Sequence, residues 1–226
     1  MRQTPFLRAA IAIALKDLRA ELRNRQLVGA MGLFGLLTTM VFYYTLESRP
    51  DVRVAALPAV LWVTVVFAGT LGLGRSIAQE HDRGTLDGLL LTPIPRQALF
   101  FGKVVVAWLF SFVVAVVVTV ALNFLFNVSL FRPLWWAILV VGTLGFAAIG
   151  TLLSSMAVYA RGRETTLPII VLPVALPVIT AAVNACNGVL NNLPFGDWGG
   201  NLLILLSSDL VFLVLAYFLF GFVVEE

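Results

Sequence analysis

The sequence predicts an all-α membrane protein with six transmembrane helices. Of the 226 residues, 60% are hydrophobic and 12% are charged, and the mean hydropathy is +0.99, which is not the composition of a soluble domain. Six runs with few or no charges are each long enough to cross a hydrocarbon core of about 30 Å as a helix. None alternates strictly between polar and apolar residues, which favours helices over a membrane β-barrel. The runs are Leu27–Leu46, Val54–Gly74, Val104–Leu130, Pro133–Ala160, Thr165–Leu193 and Leu202–Val224.

Residues 1–26 precede the first span and predict an amphipathic helix. Thr4 is suited to its N-cap and Pro5 to its first helical position. Apolar and basic side chains then separate onto two sides at helical spacing, and we expect the basic side to lie near anionic head groups in the membrane interface. A solvated lead-in to the first span is the alternative. The apolar set is Leu7, Ile11, Ala14, Leu15, Leu18 and Leu22, and the basic set is Arg8, Lys16, Arg19 and Arg23.

The distribution of Lys and Arg predicts the topology. With six spans, the side that carries both termini has twelve of these residues, whereas the opposite side has only Arg49, Arg53 and Arg132. By the positive-inside rule, both termini face the cytoplasm, and so does the polar segment at residues 75–96. The net charge of +3 is therefore mostly a topology signal. No aromatic-interleaved basic patch or recognition motif indicates nucleic-acid binding.

The 75–96 segment lies between the second and third runs and has the pattern of short helices outside the membrane. Ser76 and Gln79 have capping-box spacing, so we expect a short helix to begin at Ser76. Arg83 is spaced to pair with Glu80 and with Asp87. Gly84 is expected to end the first short helix, and a second would carry an apolar face formed by Leu86, Leu89 and Leu90 before Pro93 and Pro95 stop it.

No catalytic site of a familiar kind is visible in the chain. Gly102 and Lys103 are followed by Val104 and lack the preceding glycine, so they do not form a phosphate-binding loop. His81 is the single histidine and Cys186 the single cysteine, which predicts no metal site, no disulfide and no Ser-His hydrolase. We therefore expect a protein that is not an enzyme by itself.

The fifth span is unusual in its prolines and asparagines. Pro168, Pro173 and Pro177 each remove a helical hydrogen bond and free a carbonyl four residues earlier. A set of residues that we name the Pro/Asn stripe falls at alternating spacings of four and three, which places it on one helix face. We expect that face to serve either helix packing or contact with a partner or substrate. The stripe consists of Pro173, Pro177, Thr180, Asn184, Asn187 and Asn191.

Asp209 is an acid inside the sixth run, near its outer third, and intramembrane acids are costly and often functional. We group Asp209 with the residues of the fifth span as part of a possible partner or substrate path. Ser207 and Ser208 beside it leave a hydrogen-bonded structural site, or a shorter span that starts later, as equal alternatives. Trp135 and Trp136 begin the fourth span, where an interfacial aromatic belt is expected.

Small residues are expected to let helices approach closely. They are Ala68 with Gly72, and Gly29, Gly32 and Gly35.

The 75–96 segment resembles a motif of ABC-2 exporter permeases, E-x-x-x-G-T-L-[ED]-x-L-L-x-x-P. The matching residues are Glu80, Gly84, Thr85, Leu86, Asp87, Leu89, Leu90 and Pro93. Four further stretches make the whole chain similar to the CcmB family of haem exporter permeases. They are Leu61-Trp62-Val63, Pro93-Ile94-Pro95-Arg96, Gly102-Lys103 and the proline-rich run Leu167–Pro177.

The resemblance implies an ABC-2 permease with one domain, residues 1–226, in a bacterial inner membrane. The 75–96 segment would contain the coupling helix that seats in a separate ATPase, CcmA, and ATP and Mg²⁺ would be bound there. Further implied partners are CcmC, CcmD and the haem chaperone CcmE, whose haem-loaded form is released from CcmC on ATP hydrolysis. Haem is implied as possible cargo, without any ligand that this chain supplies. Two facing ATPase sites would need two coupling segments, which predicts a homodimer.

Two other classes of protein remain open from the sequence. An ABC-2 permease for a lipid, a glycan or a drug would carry the same 75–96 motif, since the motif concerns the ATPase and not the cargo. A membrane scaffold or channel unrelated to ABC transporters would form no stable complex with an ATPase.

Overall fold

The computed structural model describes residues 5–23, 25–82, 94–157 and 163–223, and the regular structure in them is entirely helical. Six of the helices are long and apolar enough to cross a membrane, which confirms the predicted fold class. The helices are α1 Phe6–Arg23, α2 Arg25–Glu47, α3 Pro50–Asp82, α4 Arg96–Phe126, α5 Pro133–Ala157, α6 Arg163–Leu190 and α7 Phe195–Val223.

Several helix boundaries differ from the predictions. The third span, predicted from Val104 to Leu130, is α4, which begins at Arg96 and ends at Phe126. The second span continues as α3 to Asp82, so the expectation of a new helix at Ser76 is wrong. Residues 73–79 contain no proline, and the backbone stays helical through them. The last helix begins at Phe195 rather than Leu202. In α7, Asp197 lies in the first helical turn, where a carboxylate is favoured by the helix dipole. Thr4 lies outside the described residues.

The bundle is built around α3 and α5, whose spans are the most enclosed, whereas those of α2 and α7 are the least. α3 packs against α2, α4, α5 and α6, and α5 packs against α4, α6 and α7. Trp62, Trp135, Phe100 and Phe146 are the largest fully buried side chains among the described residues. The exposed faces of α2 and α7 are lined with Leu, Val and aromatic side chains, as lipid contact requires. Every span therefore has a protein side and, to a different extent, a lipid side.

Glycines on α5 allow the closest helix contacts. A Cβ atom added to Gly142 would lie 2.3 Å from Trp62 Cη2, and one added to Gly150 would lie 2.3 Å from Leu73 Cδ1. Such close packing is how transmembrane helices associate, because lipid offers no hydrophobic gain for helix association. The expectation of close approach is confirmed at Gly35 and Gly72. It is wrong at Gly29 and Gly32, which face open space.

We name the two ends of the bundle from α1: the α1 end, and the opposite end, where α2 meets α3. At the opposite end, two arginines cap the C-terminal ends of helices. Arg132 donates hydrogen bonds to the carbonyls of Val189 and Leu190 and to Asn192 Oδ1, at 2.7 Å for the last. Asn192 has a φ of 53°, the left-handed conformation with which helices commonly end. Arg53 likewise donates to the Leu125 carbonyl at 3.5 Å. The predicted outer arginines therefore neutralise the negative ends of α6 and α4.

We expect Arg132→Ala to destabilise the fold by about 1–3 kcal/mol, because it removes charge-assisted hydrogen bonds from the end of α6. Thermal unfolding of the purified protein in detergent measures the loss. Arg49→Ala is the matched control, since Arg49 is exposed at the same end and its loss should leave the midpoint nearly unchanged. Equal midpoints for the two variants would contradict the capping role.

Trp135 does not belong to an aromatic belt. Its side chain is fully buried, and its Nε1 donates to Thr119 Oγ1 at 3.4 Å. Trp136 is half-buried and packs against Phe131 with ring centroids 5.7 Å apart. The expectation of an interfacial role is therefore wrong for Trp135, because the start of α5 is already covered by α4.

Candidate functional site

The junction of α1 with α4 is the first candidate site. Ala9, Ile13, Asp17 and Glu21 are buried, and their spacing of four places them in one row along α1. The apolar side chains of Leu7, Ile11, Leu15 and Leu22 are exposed, consistent with a lipid contact. α1 therefore has an apolar exposed face and a separate row, rich in acids, against the protein.

The α1 row packs tightly on the first turns of α4. A Cβ atom added to Gly102 would lie 2.8 Å from Ile13 Cγ2 and 3.0 Å from the Ala10 carbonyl oxygen. Phe6 contacts Phe101 edge to face, with ring centroids 5.8 Å apart. Ile13 also belongs to an apolar cluster with Leu99, Phe100 and Val104 of α4 and with Ala148, Leu152 and Ala216 of α5 and α7. The absence of a side chain at Gly102 thus lets the two helices touch.

An ion pair fixes this contact. Lys103 Nζ lies 3.6 Å from Asp17 Oδ2, and each of the two side chains is 9% exposed. Lys16 Nζ is closer to the same carboxylate, at 2.9 Å, but its side chain is 46% exposed. Solvent weakens an exposed pair to about 0–1 kcal/mol, whereas removing one member of a buried pair is much more costly. Lys103 is therefore the more important partner of Asp17.

A cavity of about 40 Å³ lies beside the ion pair, among α1, α2, α3, α4 and α5. Asp17, Glu21, Lys103, Ser111 and Thr151 are its polar lining residues. Thr151 is 1% exposed, and its Oγ1 has no hydrogen-bond partner in the described part of the chain. A space of this size is large enough for water molecules, each of which needs roughly 10–15 Å³. The junction of α1 and α4 is therefore tightly packed on one side and borders a cavity on the other.

The predicted coupling residues belong to the segment that joins α3 to α4, next to this junction. Glu80 lies in the last part of α3, while Arg83, Gly84, Leu86, Asp87, Leu89, Leu90 and Pro93 lie outside the described residues. Leu73 of α3 and Lys103 of α4 both line the cavity beside α1. The 75–96 segment therefore leaves and re-enters the bundle at the α1 end.

The Pro/Asn stripe is the second candidate site, and it faces outward. Pro173, Pro177, Thr180, Asn184 and Asn191 are exposed, and Asn187 is half-buried. Thr180 donates its hydroxyl proton to the Leu176 carbonyl at 2.8 Å. Packing within the described part of the chain does not account for the exposed members of the stripe.

Asp209 is separated from the stripe. It is 5% exposed, and a Cβ atom added to Gly145 would lie 1.9 Å from its Oδ1 and 3.4 Å from Val178 Cγ1. Neither carboxyl oxygen has a hydrogen-bond partner among the described residues. The earlier start of α7 also places Asp209 near the middle of the span Phe195–Leu219, not in its outer third. Asp209 therefore lies in the interior, where α5, α6 and α7 meet.

The sequence patterns did not indicate a site at Asp17, Glu21 and Lys103. Asp17 and Glu21 were not assigned to either face of α1. Lys103 entered only as a topology charge, as part of an incomplete phosphate-binding loop and as part of the family resemblance. One signal could have found the acids: Ala9, Ile13, Asp17 and Glu21 recur every four residues, between the apolar and basic sets. Within the described residues, no group of three or more His, Cys, Asp and Glu side chains could hold a metal ion.

Comparison with known proteins gives a consistent picture over nearly the whole chain. A family model described as CcmB protein matches residues 8–226. The heme exporter protein B of Bradyrhizobium diazoefficiens is 28% identical over 215 residues, which cover 93% of this chain and 94% of that protein. The heme exporter protein B of Rhodobacter capsulatus is 24% identical over 74% of this chain and 78% of its own length. That of Pseudomonas aeruginosa is 25% identical over 71% of each chain.

Proposed function

Since the chain belongs to the CcmB protein family, we propose that it is the membrane subunit of an ABC-type haem exporter used in cytochrome c maturation. The match of the family model over residues 8–226 is the observation that carries this proposal, and the printed names of the relatives supply the haem. The chain itself catalyses nothing in this role. ATP and Mg²⁺ bind to a separate ATPase of the CcmA type.

The α1 end faces the cytoplasm in this proposal, and both termini lie there, in a bacterial inner membrane. Twelve of the fifteen Lys and Arg residues are on that side, as the positive-inside rule requires. The ATPase then meets the 75–96 segment, with Glu80, Arg83, Asp87 and the apolar residues Leu86, Leu89 and Leu90 as the contact surface.

Movement of the 75–96 segment would be transmitted first to α3 and α4, which it joins. α1 would follow α4, because the Gly102–Ile13 contact and the Asp17–Lys103 pair hold the two helices together. The cavity on the other side of the junction would give the pair room to shift without opening the apolar core. In this way ATP hydrolysis would be linked to release of haem-loaded CcmE from CcmC, with CcmD as a further member of the complex. Two copies of the chain would supply two coupling segments to the ATPase dimer.

Co-purification from native membranes tests this function. We expect an affinity-tagged chain to recover a CcmA-type ATPase and the haem chaperone, identified by mass spectrometry. Leu90→Asp should lose the ATPase and reduce cytochrome c maturation at least about tenfold, because it places a charge on the apolar docking face. Asp51→Asn, at the opposite end of α3, is the control and should retain both.

Two results would contradict the proposal at different points. Normal ATPase recovery and normal cytochrome c maturation with Leu90→Asp would overturn the coupling role of the 75–96 segment. Normal cytochrome c maturation in a strain that lacks the chain, despite a stable complex with an ATPase, would overturn haem as the cargo.

A further inference from the structure

The Pro/Asn stripe places two polar side chains, Thr180 and Asn184, on an exposed face within a span. The exposed side chains of α4 include Val105, Val113 and Val117, and those of α7 include Leu203 and Leu210. On α6, by contrast, Thr180 and Asn184 are exposed together with Pro173 and Pro177. The span runs from Leu167 to Leu190, so Asn184 lies about 9 Å along the helix axis from its end at 1.5 Å per residue. An uncovered amide at that depth would have no water to bind.

The stripe is richer in hydrogen-bond acceptors than in donors. Pro173 and Pro177 have no N–H group, so the carbonyls of Ile169 and Pro173 lack their usual helical partners. The hydroxyl proton of Thr180 is donated to its own helix, to the carbonyls of Leu176 at 2.8 Å and Pro177 at 3.1 Å. Its Oγ1 therefore remains only as an acceptor.

Asn191 adds a further acceptor. Its Nδ2 donates to the Asn187 carbonyl at 3.0 Å, which leaves its Oδ1 as an acceptor and one amide proton as a donor. Asn187 Oδ1 is buried and is not part of the exposed surface. Asn184 adds an exposed amide, which both donates and accepts. A surface that covers the stripe must therefore supply donors along most of its length.

This pattern distinguishes between possible occupants. The same face of a second copy would bring acceptors against acceptors, apart from the amides, so it is a poor match. Lipid tails supply no donors. A helix with Ser, Thr, Asn, Gln, Trp or Arg side chains supplies donors at helical spacing, and small or polar residues are typical of such membrane contacts.

We propose that the Pro/Asn stripe is the docking surface for a transmembrane helix of a different polypeptide, one that presents hydrogen-bond donors to α6. Such an interface presupposes the proposed function, since it requires a complex with a second membrane subunit. Its location is distinct from the ATPase surface, which the 75–96 segment provides at the α1 end. Two copies of the chain can still associate through another face.

Photo-crosslinking in the intact complex tests the proposal. The amino acid p-benzoylphenylalanine replaces Asn184, and native membranes are irradiated before solubilisation. We expect a covalent adduct with a transmembrane segment of another polypeptide, with donor side chains near the crosslinked position. The same photoreactive residue in place of Leu210, exposed on α7, is the control for adducts that do not depend on the stripe.

Three outcomes would overturn the proposal. An adduct with a second copy of the chain would assign the stripe to self-association. An adduct with lipid alone would show that no polypeptide covers the stripe. Rapid reaction of Asn184→Cys, in a Cys186→Ala background, with a water-soluble maleimide would instead indicate an aqueous path.

A double variant, Thr180→Val with Asn184→Leu, tests the hydrogen bonds themselves. Recovery of the crosslinked polypeptide should fall at least about fivefold, since interhelical hydrogen bonds in membranes each contribute modestly. ATPase recovery should not change, which separates failure of this interface from failure of the proposed function. An unchanged unfolding midpoint of the purified chain shows that the variant folds, and Asn184→Gln should keep the partner. Wild-type recovery of the polypeptide with the folded double variant would contradict the proposal.

Discussion

Lys103→Glu is expected to release α1 from α4 and to destabilise the protein by about 3–5 kcal/mol, the cost of breaking a buried ion pair. The variant removes the cation that lies 3.6 Å from Asp17. It also adds a carboxylate to a cavity that Asp17 and Glu21 already line. Like charges that are shielded from water repel strongly because the effective dielectric constant is low.

Thermal unfolding in detergent and limited proteolysis of the N-terminal segment measure this effect. Lys16→Glu is the matched control, because Lys16 contacts the same carboxylate from an exposed position and should cost about 0–1 kcal/mol. Combining Lys103→Glu with Asp17→Lys restores one opposite-charge pair and should recover part of the loss. If the Lys16 and Lys103 variants were equally stable, the pair would not hold the junction.

Gly142→Ala is expected to destabilise the protein by about 1–3 kcal/mol, in spite of the greater helix propensity of alanine. The new methyl group would lie 2.3 Å from Trp62 Cη2 and 2.9 Å from Cζ2. Trp62 is fully buried, so the rigid indole ring cannot move without displacing α3 from α5. The contact is at the centre of the bundle, where the packing of neighbouring helices leaves little room to adjust.

The unfolding midpoint of Gly142→Ala in detergent checks this prediction. Gly32→Ala is the matched control in a second transmembrane helix, since a Cβ atom there has nothing within 4 Å. It should be neutral or slightly stabilising, by up to about 1 kcal/mol. A Gly142→Ala protein that is as stable as the Gly32→Ala protein would show that α3 and α5 do not pack as described.

The sequence predicted helix number and approximate span limits well, because each span must satisfy its backbone hydrogen bonds internally and cover about 30 Å. Its errors occurred where a local sequence motif allowed more than one backbone conformation. Ser76 and Gln79 fit a capping box, yet an unbroken helix satisfies the same backbone groups. The last span was predicted to start at Leu202, yet α7 begins at Phe195 and holds Asp197 in its first turn, where a carboxylate is favourable.

For the candidate sites, too, the sequence predicted part of the arrangement and the structure decided the rest. The spacing of Pro173, Pro177, Thr180 and Asn184 predicts a shared face, because side chains at intervals of three and four align on a helix. Spacing does not reveal whether that face points inward or outward, and the structure leaves it exposed. Asp209 was grouped with these residues as a polar group in a span, but it packs against Gly145 in the interior.

The sequence by itself determined the membrane class, the six spans, the family and the polar 75–96 segment, since these depend on composition, run length and local motif. Only the tertiary structure revealed the pairing of Asp17 with Lys103, the contact of Gly142 with Trp62 and the outward orientation of the Pro/Asn stripe. These depend on which helix faces meet. In a membrane that choice is made by close packing and buried polar contacts between residues far apart in the chain, because hydrophobicity is nearly the same on every side of a span.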